Sequence, residues 1–266
     1  MQTVLTGAAG GIGRAIADRL SAAGHDVLAL DRRDDALGDL PAAVETEAVD
    51  LTDAEAVETA LAGVDPDALI TAAGWYELGA LEECSPARLR RHVEANLLTV
   101  HTVVFALASR LRRRNGRIVV VGSLVGRVSL PYHGAYSASK AGLAGYVGSL
   151  RRELADRGVD VSLVEPGPVA TGLNERASDA LEGRTDSAYR AAYDAFEGYR
   201  PESASSQAVA DAAVTAATAP DPDPRYPVGT RARLLPVLQW LLPASVFDTL
   251  VAAGMPDGLL GRLIDG

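Results

Sequence analysis

Lysine is almost missing from this chain: 25 residues are lysine or arginine, and Lys140 is the one lysine among them. Whatever bias removed lysine elsewhere left it there, which marks Lys140 for a task that a planar guanidinium fills poorly. Cysteine is equally scarce. Cys84 stands alone, which excludes an intramolecular disulfide and a cysteine-based zinc knuckle. His25, His92, His101 and His133 show no ligand spacing, so no metal site is expected. Positive charge is short as well, 25 basic against 35 acidic residues giving −10, a background that repels nucleic acid. The densest basic group, Arg110, Arg112, Arg113, Arg114 and Arg117, sits at one helix end, where cations suit the macrodipole. No long apolar run is present. The tail from Ala232 to Ala253 is broken by Pro236, Gln239, Pro243 and Asp248, which argues against a membrane span and leaves a lid, a dimer contact or a monotopic anchor. The first apolar run, Val4 to Leu5, leads straight into Thr6-Gly7 without an h-region or cleavage site, so the expected location is cytoplasmic.

What is there reads as an ordinary globular chain of 266 residues, 48% apolar and 23% charged. Up to about Glu165, short β-branched runs alternate with longer Ala/Leu/Arg segments of helical period, the pattern of βαβ units. Strands are predicted at Thr3 to Leu5, Asp26 to Leu30, Ala48 to Asp50, Ala68 to Thr71, Arg117 to Val121 and Val159 to Val164. Most are apolar throughout, as strands covered on both faces must be. Ser85-Pro86 starts a helix expected to run to Arg114 and to stop at Asn115-Gly116. A second helix is expected from Ala135 to Arg157, ending at Gly158. A further helix (Ser203 to Thr218) and a short strand (Arg225 to Val228) follow. The expected fold is α/β, a doubly wound parallel sheet in a single domain over 1–266. Within it, 1–165 would form the cofactor core, 166–202 a substrate loop region, and 203–266 a closing helix, last strand and apolar tail.

The first strand runs into Thr6-Gly7-Ala8-Ala9-Gly10-Gly11-Ile12-Gly13 and then a helix beginning near Arg14. Glycines at such a turn let backbone N–H groups and a helix N-terminus approach a pyrophosphate, although a tight turn uses glycine too. Asp31 ends the second apolar run, where a carboxylate accepts hydrogen bonds from ribose hydroxyls and repels a 2′-phosphate. Arg32-Arg33 follow at once and could pair with that phosphate. NAD(H) is therefore the preferred cofactor, with NADP(H) as the alternative. Asp50, with Leu51 beside it, would face the adenine edge or cap the next helix.

Tyr136-Ser137-Ala138-Ser139-Lys140 opens a helix and puts phenol and ammonium on one face at i, i+4. A cation beside a phenol favours the phenolate, which is chemistry for moving a proton to or from an alcohol oxygen. Ser123 lies 13 residues earlier, just past a strand's carboxyl end, and could hold a substrate oxygen or simply form a turn. Asn96, a poor helix former in mid-helix, is either part of a polar relay or a satisfied core amide.

Taken together, Thr6-Gly7-x-x-x-Gly11-Ile12-Gly13, Asp50, Ala72-Ala73-Gly74, Asn96, Ser123, Tyr136-x-x-x-Lys140 and Pro166-Gly167 resemble the short-chain dehydrogenase/reductase family over residues 2 to about 172. The resemblance implies a Rossmann-type fold in which Tyr136 is the acid/base, Lys140 lowers its pKa and holds the nicotinamide ribose, and Ser123 positions the substrate oxygen. It implies further that Asn96 completes a proton relay, and that Pro166, Gly167, Val169 and Thr171 flank the nicotinamide. Thr71-Ala72-Ala73-Gly74 departs from the usual Asn-Asn-Ala-Gly of the family and removes an amide that braces the sheet.

A narrower likeness is to the 17β-hydroxysteroid and retinol dehydrogenase-like branch. It rests on Gly126-Arg127-Val128-x-Leu130-Pro131-Tyr132, Gly134 to Lys140, Val161 to Pro168 and Arg225-Tyr226-Pro227-Val228-Gly229. Trp75-Tyr76, His133, Leu173 and the Tyr189 to Tyr199 segment are the candidate substrate walls, suited to a hydrophobic alcohol or ketone. Two rivals stand beside an alcohol/ketone oxidoreductase: an NADPH-dependent 3-oxoacyl thioester reductase, and a non-catalytic dinucleotide sensor. Family likeness also suggests a homodimer or homotetramer through the two long helices.

Overall fold

The computed structural model describes residues 1–169, 181, 185–197, 203–256 and 258. Seven parallel strands form one sheet in the order β3-β2-β1-β4-β5-β6-β7. They are β1 (Gln2–Thr6), β2 (Asp26–Asp31), β3 (Glu45–Ala48), β4 (Ala68–Thr71), β5 (Arg117–Val121), β6 (Asp160–Pro166) and β7 (Arg225–Val228). The helices are α1 (Gly11–Ala22), α2 (Asp34–Leu37), α3 (Ala54–Ala60), α4 (Pro86–Val93), α5 (Thr99–Arg114), α6 (Gly134–Leu154), α7 (Arg190–Glu197), α8 (Ser206–Thr218), α9 (Thr230–Leu241) and α10 (Ala244–Ala253).

The unbroken apolar strands are explained by helices on both faces. Leu5, Ile70, Val119 and Val121 point into a core shared with Ile16 and Leu20 of α1 and with the alanine-rich α8. Val4, Leu69, Ile118 and Val120 point the other way, onto Val57, Leu107, Leu143 and Val147 of α3, α5 and α6. This is the doubly wound α/β architecture expected from the sequence. Chain order reverses between β1 and β4, so the crevice at their carboxyl ends is the topological switch point where such sheets bind ligands.

Four boundaries differ from the sequence reading. The first helix begins at Gly11, not near Arg14, so the glycine loop itself supplies its first turn. The third strand is Glu45–Ala48, not Ala48 to Asp50, because this edge strand is exposed along its whole length and carries no apolar run to find it by. The helix expected from Pro86 to Arg114 is interrupted by a π-helical turn at Glu94–Leu98, centred on Asn96. Such bulges cluster at functional sites. The closing helix starts at Ser206, with Ser205 Oγ accepting from Ala208 N at 3.1 Å. Other signals hold: Ser85 caps α4, and Asn115, at φ 48, ends α5.

Candidate active site

Gly7 leaves β1 at φ +71, and a Cβ on it would lie 2.4 Å from Ala73 N. A Cβ on Gly13 would lie 2.1 Å from Gly7 O, so the first turn of α1 rests directly on the loop. Thr6 O accepts from Ala72 N at 3.0 Å, which fastens Ala72, Ala73 and Gly74 to the same loop. Gly10 caps α1 without a side-chain hydrogen bond, and Gly11 is exposed at its first turn, next to the half-buried Ile12. Free N–H groups at a helix N-terminus attract a phosphate. These residues fit the pyrophosphate of a dinucleotide.

At the neighbouring strand end, Asp31 is buried and already engaged. Its Oδ2 accepts from Ala9 N at 3.1 Å, while Oδ1 accepts from Arg33 N at 3.1 Å and Arg33 Nε at 3.3 Å. Arg32 is exposed. Asp50 takes hydrogen bonds from the Thr52 N–H and hydroxyl, which hold its carboxyl below the usual range. Asp53, not Asp50, caps α3. Leu51 is buried in the core beneath.

Two residues past β5, Ser123 begins a turn, its Oγ accepting from Val125 N at 3.4 Å, and its hydroxyl stands near enough to the Tyr136 phenol to favour the phenolate. Lys140 is 4% exposed, with Nζ donating to Val121 O at 3.1 Å and lying 5.8 Å from the Tyr136 ring centre. Burial pushes the lysine down to about 8. Burial also pushes the Tyr136 phenol up to about 12, against the opposing pull of the nearby Ser123 hydroxyl. Desolvation thus outweighs the depression expected from the i, i+4 cation. Serine, tyrosine and lysine nevertheless meet at the carboxyl edge of the sheet.

Asn96 spends its amide on bracing. Oδ1 accepts from Trp75 N at 2.8 Å, and Nδ2 donates to Trp75 O at 2.8 Å and to Ser139 Oγ at 3.0 Å. A Cβ on Gly74 would lie 3.1 Å from Asn96 Oδ1 and 3.8 Å from Lys140 Nζ, so the three positions converge. The Thr71 hydroxyl is buried without a hydrogen bond, where the departure from Asn-Asn-Ala-Gly falls. Gly167 N donates to Val228 O at 2.9 Å, and Val169 bridges Ala204, which sets Pro166 to Val169 along the last strand. Thr171 and Leu173 lie outside the described residues.

The substrate candidates separate. Trp75 turns away onto α4, its ring 4.3 Å from His92 and 4.3 Å beneath the Arg91 guanidinium. Tyr76 takes the place beside the phenol, 4.5 Å from the Tyr136 ring, with His133 stacked on it at 5.7 Å. Phe196 and Tyr193 of α7 join Tyr76, Tyr132 and Tyr136 in one apolar cluster. Glu83 latches this wall: it accepts from Ser187 Oγ at 2.5 Å and from Tyr193 OH at 2.7 Å, and these bonds hold its carboxyl below the usual range. Sequence spacing gives no hint of Glu83.

His92 was also not legible as part of the site. It is 2% exposed, its Nε2 accepting from Glu77 N at 3.3 Å and its Nδ1 set against Arg88 O at 3.0 Å. Those bonds suit a neutral ring, and burial lowers its pKa from 6.5. A group whose folded pKa is depressed stabilises the fold above its unfolded pKa and loses that contribution as pH falls. The melting temperature is therefore expected to drop between pH 7 and 5 by more in the wild type than in His92→Gln. Equal drops, measured by thermal scans, would show that His92 is not the group responsible.

The short chain dehydrogenase family model matches residues 2–182. The probable short-chain type dehydrogenase/reductase VdlC of Helicobacter pylori is 31% identical, covering 93% of this chain and 95% of its own. The 3-oxoacyl-[acyl-carrier-protein] reductase FabG of Escherichia coli is 33% identical over 66% of this chain and 76% of its own. A short chain dehydrogenase from Burkholderia cenocepacia, solved in complex with NADP, superposes with TM-score 0.79 at 24% identity, over 94% of this chain and 96% of that one. Fold and motifs together define an oxidoreductase of Rossmann type, built around a nicotinamide dinucleotide site. The chain belongs to the short-chain dehydrogenase/reductase family.

Proposed function

We propose that the protein interconverts a secondary alcohol and a ketone on a hydrophobic substrate, with Tyr136 as the proton-transferring group. The observation that carries this is the meeting of Ser123, Tyr136 and the buried Lys140 beside an aromatic wall. A bound nicotinamide supplies or accepts the hydride. Thr6, Gly7, Gly11, Ile12 and Gly13 would hold the pyrophosphate, Asp31 the ribose, Asp50 and Leu51 the adenine side, and Ala72 to Gly74 the floor between them. Tyr136 and Lys140, with Pro166, Gly167, Val169 and Thr171, would border the nicotinamide. Ser123 holds the substrate oxygen against the phenol, Lys140 supplies positive charge as the phenolate forms, and Asn96 keeps the relay wall rigid. Tyr76 and His133 line the substrate side.

The carboxylate at Asp31 supports NAD(H), since a 2′-phosphate there would meet a negative group. The exposed Arg32, and the likeness to the acyl-carrier-protein reductase, support the second reading, an NADPH-dependent 3-oxoacyl thioester reductase. Fluorescence titration with NADH and NADPH, followed by a panel of hydrophobic ketones and 3-oxoacyl thioesters, decides between them. Tighter NADH binding is expected, with Asp31→Ala shifting the ratio toward NADPH by at least about tenfold, the equivalent of ~1.4 kcal/mol. A wild-type preference for NADPH, with turnover of the thioester, would establish the second reading instead. Binding without turnover on any of these compounds would favour a sensor.

Association through α5 and α6 is part of the same proposal. Phe105, 72% exposed, and Leu98, 51% exposed, lie on or beside α5. Among the described residues no helix is long and apolar enough to cross a membrane.

A further inference from the structure

The Ser123 turn is tied at both ends to two successive residues of β6. Upstream, Gly122 N donates to Val164 O at 2.7 Å. Downstream, Arg127 ends the tight turn Leu124–Gly126 and brings Nη1 to 3.6 Å from Glu165 Oε2. Glu165 is 1% exposed and is the one charged side chain among the buried residues of β6. Its Oε1 accepts from Arg225 Nη1 at 2.6 Å. The register explains that pair: Arg225 faces Leu163, two residues before Glu165 and on the same face of the sheet. Oε2 makes no hydrogen bond, so it is held by the charge of Arg127.

A buried carboxylate is costly, and an apolar side chain would fill a strand at least as well. What the carboxylate adds here is a tether for the turn. The tether reaches the reacting groups from two sides. A Cβ on Gly126 would lie 2.7 Å from Lys140 O, so the turn that Arg127 closes is seated on the α6 backbone at Lys140. Ser123 opens the same turn and meets Tyr136.

We infer that Glu165 is a positioning residue, which fixes the Ser123 hydroxyl against Tyr136 by anchoring Arg127 at the far end of the turn. This rests on the proposed roles of Ser123 and Tyr136. Arg225 orients the carboxylate and Arg127 reads it out; without either end of the ion pair, Ser123 keeps its place in the chain but not its angle to the phenol.

The test compares Glu165→Gln, Arg127→Ala and Tyr136→Phe for kcat, dinucleotide Kd and Tm. Glu165→Gln and Arg127→Ala are expected to lower kcat at least about tenfold, as small misplacements of reacting groups do, with dinucleotide Kd unchanged. Millimolar guanidinium is expected to restore much of the kcat of Arg127→Ala and to leave wild type and Tyr136→Phe unaffected. Arg127 is 40% exposed, so its removal leaves a foldable protein even if Glu165→Gln does not fold. Full kcat in Arg127→Ala, or a loss that follows Tm and ignores guanidinium, overturns the inference and makes the cluster a clamp between β6 and β7. A fully active Tyr136→Phe would instead remove the reading on which it rests.

Discussion

Tyr136→Phe is expected to lower kcat by about 10³-fold, inside the ~10² to 10⁴ that proton transfer by a positioned side chain contributes. It should leave dinucleotide affinity and Tm nearly unchanged. The ring stays in its apolar setting, against Tyr76 at 4.5 Å and in one cluster with Tyr193 and Phe196, so the packing loses one oxygen and little else. What disappears is the hydroxyl that faces Ser123. The direction of the pH dependence follows from burial. A phenol pushed up to about 12 and an ammonium pushed down to about 8 share one dry edge, so charging one favours charging the other. Lys140→Met should therefore lower activity and move the basic limb of the kcat profile to higher pH, because the phenolate loses its nearest cation. Near-normal turnover in Tyr136→Phe, measured with the ketone that serves the wild type best, would remove the tyrosine from the mechanism.

The parts of this site that sequence reading reached are those fixed by local rules. Gly7, Gly11 and Gly13 follow a strand and open a helix, Tyr136 and Lys140 stand one helical turn apart, and Ser123 trails an apolar run; each needs only spacing and period. The sheet was legible for the same reason, since strands buried on both faces announce themselves as unbroken runs. The edge strand β3 was displaced because Glu45 to Ala48 is exposed and has no such run. Contacts between distant segments left no local mark. Glu83 and Tyr193 are 110 residues apart when they bond, Glu165 and Arg225 60, and Asn96 and Ser139 43. A lone glutamate inside Val161-Ser162-Leu163-Val164-Glu165 was the one available hint that a charge had to be buried there. Burial of the tyrosine was illegible for a related reason: spacing sets the proximity of Lys140, while the desolvation that pushes the phenol up depends on everything packed around the pair.

Gly13→Ala is expected to weaken dinucleotide binding by at least about tenfold, which corresponds to ~1.4 kcal/mol, and to lower Tm by several degrees. The added methyl would stand 2.1 Å from Gly7 O and 2.8 Å from Ala8 Cα, both backbone atoms that no side-chain rotation can move. Relief requires the loop and the first turn of α1 to separate, at the ~1 to 3 kcal/mol typical of overpacking. That separation spoils the place proposed for a pyrophosphate at the free N–H groups of α1. Tyr136, Ser123 and Lys140 lie beyond β4 and β5, so kcat at saturating cofactor should fall far less than affinity does. Gly24→Ala supplies the contrast. Gly24 has φ +73 but open space where a Cβ would go, so its alanine variant carries backbone strain of about 1 to 2 kcal/mol and should bind the dinucleotide as the wild type does. Equal affinity in Gly13→Ala and wild type would mean that the loop tolerates a wider gap than its geometry allows, and the dinucleotide would have to be held elsewhere.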